Sequence, residues 1–185
     1  EELRETFMPL LEKCVRVTIH AGETRPAESI WEAVYHLQAD RIGHGLRLRE
    51  HPELMERFID RKIAVEMCPS SNYQIVGYHD ASIPASKEKP TYPLRHYLES
   101  GLRVTLNTDN PGISRTTLSY EYLKAARMSE GLSLWECLQL SRNSFRATFA
   151  ERAEQKRLLL QAEQVILEEW LPALEDYLGV TLAKS

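Results

Sequence analysis

VTIHAGE, Val17 to Glu23, is the stretch on which the fold class turns. Val15, Val17 and Ile19 alternate with polar residues, the period-two pattern of a β-strand with one face buried. The run then ends on His20, and Glu23 follows three residues later. A strand interior gains nothing from either side chain. An imidazole and a carboxyl group are therefore wanted together at the strand's end. Similar short runs recur at CVRVTIHA, DRIGHG, IAVEMC and LRVTLNTD.

Segments with helical period separate these runs. Ile30, Val34 and Leu37 fall at i, i+4 and i+7 behind Pro26, a first-turn residue. Leu54, Met55 and Phe58 share a face after Pro52, and a third helix runs from near Pro93 through Leu94, Tyr97 and Leu98 to Gly101. Short apolar strands alternating with amphipathic helices predict βαβ units and a parallel sheet. After the fourth strand only helices are expected. One covers residues 117–130. A second opens on the capping box Ser133-Leu134-Trp135-Glu136 and continues to about Phe149. The third runs from Arg152 to Leu178, with Leu159, Ile166 and Trp170 opposite its charged side. Residues 70–90 form the one long irregular stretch, and loops of that length are usually functional.

The chain has 185 residues, 43% hydrophobic and 27% charged, a composition expected of one globular domain. A net charge of −4 gives no attraction to nucleic acid or to an anionic membrane surface. No run reaches the roughly 20 apolar residues of a membrane span. The opening EELRETFMPLLEK reads as an acidic amphipathic helix and not as a signal peptide. Cys14, Cys68 and Cys137 are too few and too scattered for a disulfide framework, so a reducing, cytoplasmic setting is expected. The absence of an initiating methionine suggests a piece of a longer protein.

Polar residues sit at the carboxyl end of each expected strand. The first ends at His20 and Glu23, the second at His44 between Gly43 and Gly45. The third runs into Cys68-Pro69-Ser70-Ser71-Asn72, the fourth into Asn107-Thr108-Asp109-Asn110. In parallel α/β folds chemistry gathers at this edge, where loops vary without disturbing the core. Each residue alone has an ordinary explanation: a rim histidine, a helix-dipole carboxylate, a turn-forming aspartate, a small buried thiol. Two histidines and an aspartate converging at one edge are instead nitrogen and oxygen ligands suited to zinc. A glutamate beside them can handle protons, which indicates metal-assisted attack of hydroxide on an electrophilic carbon.

TIHAGE, RIGHG, CPSSN and TLNTDNP, in this order and spacing, resemble the adenosine deaminase family of the amidohydrolase superfamily, over about residues 14–150. The resemblance implies a (β/α)8 TIM-type barrel, of which this chain is the C-terminal half. About four βα units would occupy residues 12–112, with a helical part over 113–185. It implies Zn2+ as cofactor, His20 and Asp109 as metal ligands, and Glu23 as the group that protonates purine N1 while hydroxide attacks C6. His44 would orient the attacking water, Asp109 would help to position it, and Gly22 and Asn110 would contact the substrate. The product of adenosine would be inosine, with release of ammonia.

Two departures accompany the resemblance. Asn110 stands where the family commonly has a second aspartate that donates a hydrogen bond to purine N7. An amide NH2 donates at any pH, so Asn110 can serve. The family's H-x-H pair, which supplies two further zinc ligands on the barrel's first strand, occurs nowhere in the chain. The expected partners are thus a purine nucleoside and the N-terminal half of the same barrel, with neither nucleic acid nor membrane. Two alternatives stay open: a deaminase of adenine or of an adenine nucleotide with or without an N6 substituent, and a non-catalytic half-barrel that serves as an interaction module.

Overall fold

The computed structural model describes residues 2–179. Four short parallel strands carry the fold: β1 (Thr18–Ala21), β2 (Arg41–His44), β3 (Ala64–Met67) and β4 (Arg103–Leu106), paired in chain order. Helix α1 (Glu2–Glu12) precedes them; α2 (Glu28–Tyr35), α3 (Pro52–Arg61), α4 (Pro69–Ile75) and α5 (Leu94–Glu99) lie between them. After β4 come α6 (Pro111–Ser114), α7 (Leu118–Met128) and α8 (Leu134–Ala147). Each strand lies inside its expected run, and parallel order β1-β2-β3-β4 is what consecutive βα units produce.

Register decides which side chains meet. Ile19, Ile42, Val65 and Val104 form one row across the sheet, and the last three are fully buried. Ile30, Leu54, Phe58, Leu94 and Tyr97, at 0–2% exposure, belong to the same core. Burying each such side chain contributes about 1.5–3 kcal/mol. The next row, His20, Gly43, Glu66 and Thr105, points to the opposite face, because successive strand residues alternate. That face is polar: Thr18 Oγ1 donates to Glu66 Oε2 at 2.6 Å, and Arg41 Nε lies 3.0 Å from Glu66 Oε1.

Several helix ends follow the sequence signals, while α2 is shorter than expected, with Pro26 before its N-cap Ala27 and Leu37 beyond its C-cap His36. Gly101, at φ +78°, follows the Ser100 cap of α5, where only a residue tolerant of the left-handed region fits. The Ser133–Glu136 box closes at both ends: Glu136 N donates to Ser133 Oγ at 3.2 Å and Ser133 N to Glu136 Oε2 at 2.7 Å.

One expectation is corrected and one refined. The stretch 70–90 is not irregular throughout, since α4 occupies its start. Pro69 takes a first-turn position of α4, where its missing N–H costs nothing, and Ser70 N donates to the buried Glu121 carboxylate of α7 at 2.8 Å. A run of Ser and Asn reads as loop in the sequence because these residues favour turns, and the tertiary partner overrides that preference. The last helix runs over its expected span with helical backbone throughout, but its hydrogen-bond period changes within it. It comprises α9 (Arg152–Val165), a π-helical turn (Ile166–Trp170) and α10 (Leu171–Leu178). Pro172, in the first turn of α10, has no N–H to return to the preceding turn.

The chain divides into two compact units, Glu1–Ala147 and Thr148–Ser185. The first contains the sheet and α1–α8; the described residues of the second contain α9, the π-helical turn and α10. Among the described residues no helix is long and apolar enough to cross a membrane.

Candidate active site

The ladder between β1 and β2 continues past both strands. Gly45 N donates to Ala21 O and Arg47 N to Gly22 O, each at 3.0 Å, so the turns after the two strands are tied together. Gly22 turns the chain at φ +64°, and a Cβ there would lie 2.4 Å from Ile30 Cδ1. Its N–H donates to Ser29 Oγ at 3.0 Å. Both backbone groups of Gly22 are therefore engaged, its N–H with Ser29 and its C=O with Arg47 of the turn after β2, and Glu23 lies beside the end of β2.

His44 ends β2 with a positive φ of +66°, and Asp109, beyond β4, has φ +55°. Non-glycine residues take this region rarely, and where they do the surroundings must hold them in place. For His44 those surroundings are explicit. Its side chain is 2% exposed, Nε2 lies 3.2 Å from His20 Nδ1, and Nδ1 lies 2.9 Å from Asn72 Nδ2 and 3.4 Å from Glu23 Oε1. The two imidazoles meet edge to face, their centroids 4.7 Å apart. Gly43 makes the approach possible. A Cβ on it would sit 2.9 Å from His20 Cδ2.

One ligand atom each from His20, His44 and Asp109 can be chosen so that all lie within 4.8 Å of one another. Ligands of a four-coordinate zinc lie ~3.4 Å apart, as bond lengths of ~2.0–2.2 Å require. His20 and Asp109 are exposed and have room to close that difference by rotation. The donor set, two imidazoles and a carboxylate, suits zinc. Among the described residues no fourth His, Cys, Asp or Glu joins the group. These residues line an open cleft of about 530 Å³ together with Glu66, Cys68 and Thr108.

Burial pushes the His44 imidazole below its ordinary pKa; Glu23 pulls the other way, and neighbouring His20 adds to the fall. Burial also raises the Cys68 thiol far above its usual range, which leaves it a protonated, inert neighbour of the cleft.

Asn110, predicted as a donor, is the N-cap of α6. Its Oδ1 accepts from Ile113 N at 3.1 Å, so the cap uses the oxygen and leaves the NH2 to donate. The structure thus brings His20, Glu23, His44 and Asp109 to one edge, with Asn110 next in the chain. Asn72 belongs to the CPSSN motif, which carries no sign of its role, and no sequence pattern points to Tyr92. Both contact this group or each other.

Residues 2–165 match the family model described as adenosine deaminase. The chain belongs to the adenosine deaminase family. An adenosine deaminase of Shewanella loihica is 36% identical over 152 residues, which are 82% of this chain and 43% of that protein. Among solved structures, the adenine deaminase from Arthrobacter aurescens aligns with a TM-score of 0.74 and 27% identity, over 88% of this chain and 47% of its own. The Arabidopsis N6-mAMP deaminase aligns with a TM-score of 0.69 and 25% identity, over 87% of this chain and 45% of its own. The chain therefore spans a little under half the length of the relatives it matches. The four βα units are part of the barrel fold shared by these amidohydrolases.

Proposed function

We propose that this chain is the C-terminal half of a zinc-dependent aminopurine deaminase whose substrate is adenosine. One observation carries the reading: His20, His44 and Asp109, from three separate βα units, line one cleft at the carboxyl edge of the sheet, with Glu23 Oε1 3.4 Å from His44 Nδ1. His20 and Asp109 would hold zinc. Zinc, when bound, makes water acidic enough to supply hydroxide at neutral pH, with a pKa of ~7. Glu23 delivers a proton to purine N1 as hydroxide adds to C6, and a general acid so placed contributes about 10²–10⁴ in rate. His44 donates towards the attacking water, and the Asn110 NH2 donates to purine N7. The N-terminal half of the barrel would supply the H-x-H ligands that this chain lacks.

Adenine and N6-substituted AMP form the second reading, favoured by fold neighbours that act on those purines. Three free cysteines accord with the cytoplasmic setting we propose.

The test joins the N-terminal half of the Shewanella loihica relative to this chain and measures zinc content and deamination of adenosine, adenine and N6-methyl-AMP. One zinc per folded chimera and turnover of one substrate are expected, with Glu23→Gln keeping the metal while losing at least ~10² in turnover. A cooperatively folded chimera that binds no zinc and deaminates none of the three refutes the reading.

A further inference from the structure

We propose that Asn72 is a positioning residue: its carboxamide fixes which ring nitrogen of His44 carries the proton and holds the Glu23 carboxyl beside that ring. For its effect on turnover this rests on the deaminase reading; the geometry stands without it.

Asn72 lies in α4, is fully buried, and uses every hydrogen-bonding position its amide possesses. An amide has two N–H donors and two acceptor directions on its oxygen. Oδ1 accepts from Cys68 N at 3.2 Å and from Tyr92 Oη at 2.8 Å. Nδ2 lies 2.9 Å from His44 Nδ1 and 3.3 Å from Glu23 Oε1.

Which end of an amide is nitrogen is normally a matter of assignment. Here the backbone decides it. Cys68 N–H can only donate, so the atom facing it must be Oδ1. Burial holds the Tyr92 phenol protonated, so it donates to the same oxygen. The NH2 must then face His44 Nδ1. Two donors cannot share that contact, so Nδ1 is the acceptor and the neutral ring carries its proton on Nε2. That nitrogen faces His20 and the cleft. The ring therefore presents an N–H donor, not a lone pair, to whatever occupies the cleft.

The second N–H of the same amide reaches Glu23 Oε1. Glu23 follows β1, His44 ends β2, and Asn72 follows β3. One carboxamide thus links the ends of three adjacent strands and sets the spacing of two groups that handle protons. Removing a partner that orients a functional histidine typically costs ~10–100-fold in activity.

Asn72→Asp is the informative variant. It keeps the shape and the oxygen that accepts from Cys68 and Tyr92, but places an acceptor where the NH2 was. The proton should then move to His44 Nδ1. The readout is the two-bond 1H–15N correlation spectrum of the histidine rings in the 185-residue chain without metal. The expected result is an Nε2–H pattern for His44 in the wild type and an Nδ1–H pattern in Asn72→Asp. An Nδ1–H pattern in the wild type overturns the proposal whether or not the variant folds; so does an unchanged Nε2–H pattern in a folded variant.

In the zinc-loaded chimera, Asn72→Asp should lower kcat by about 10–100-fold while zinc content and KM hold. Unchanged kcat overturns the role in turnover. If the folded parent chimera binds no zinc and deaminates none of the three purines, the functional reading fails, and the spectra still decide the tautomer.

Discussion

Lys124→Met tests whether α7 anchors the segment that carries Asn72 and Tyr92. Lys124 Nζ lies 2.5 Å from Asp80 Oδ2, with the two side chains only 8% and 0% exposed. The ammonium also sits 3.6 Å from the centroid of the Tyr73 ring, on α4. Methionine preserves the apolar stem and removes the charge. Asp80 Oδ1 keeps its bonds from Ser82 N and Oγ, at 2.8 and 2.6 Å, but Oδ2 is left buried without a partner. Breaking a buried ion pair from one side costs about 3–5 kcal/mol, a large fraction of the ~5–15 kcal/mol that stabilises a typical domain. With a urea slope near 2 kcal/mol per molar, the unfolding midpoint should fall by about 1.5–2.5 M. Circular dichroism of wild type, Lys124→Met, Asp80→Asn and the double variant reads this directly. The double variant should be more stable than the sum of the single losses, because no charge is then buried unpaired. A single-variant cost below ~1 kcal/mol, or strict additivity, would refute the argument that this ion pair is an anchor.

Two further outcomes follow from the same geometry. Burial alone would raise the Asp80 carboxyl, but the hydrogen bonds from Lys124 and Ser82 outweigh it and hold the pKa below its ordinary value. Its contribution to stability is therefore complete above the unfolded value of about 3.9 and is lost as pH falls through the lower folded value; Asp80→Asn should abolish that part of the acid dependence in urea titrations. Gly43→Ala introduces a methyl 2.9 Å from the His20 ring at a position whose backbone is unstrained, so its effect is steric. It should cost about 1–3 kcal/mol of stability and weaken zinc binding by the zinc-loaded chimera ~10-fold or more; unchanged affinity by metal competition would remove Gly43 from the argument.

The alternation of strands and helices was legible because periods of 2 and 3.6 are written directly in the positions of apolar residues, and Pro52, Pro93 and Gly101 punctuate them. His20, Glu23, His44 and Asp109 were legible as strand-end residues by the same reasoning. That they share one site was implied by the family resemblance; the distances between them were not legible, since strand order and register set the spacing of strand ends and no local pattern encodes either. Helix α4 was hidden for a related reason. Its serines and asparagine favour turns locally, and only the buried Glu121, 51 residues away, supplies the acceptor for Ser70 N that stabilises its first turn. Asn72 and Glu23 are 49 residues apart, Asn72 and Tyr92 20, Asp80 and Lys124 44. Sequence by itself determined the elements and the residue types at their ends. Tertiary structure alone decided the hydrogen bonds of the buried amide, because a buried polar group must find its partners in space, wherever the chain happens to bring them.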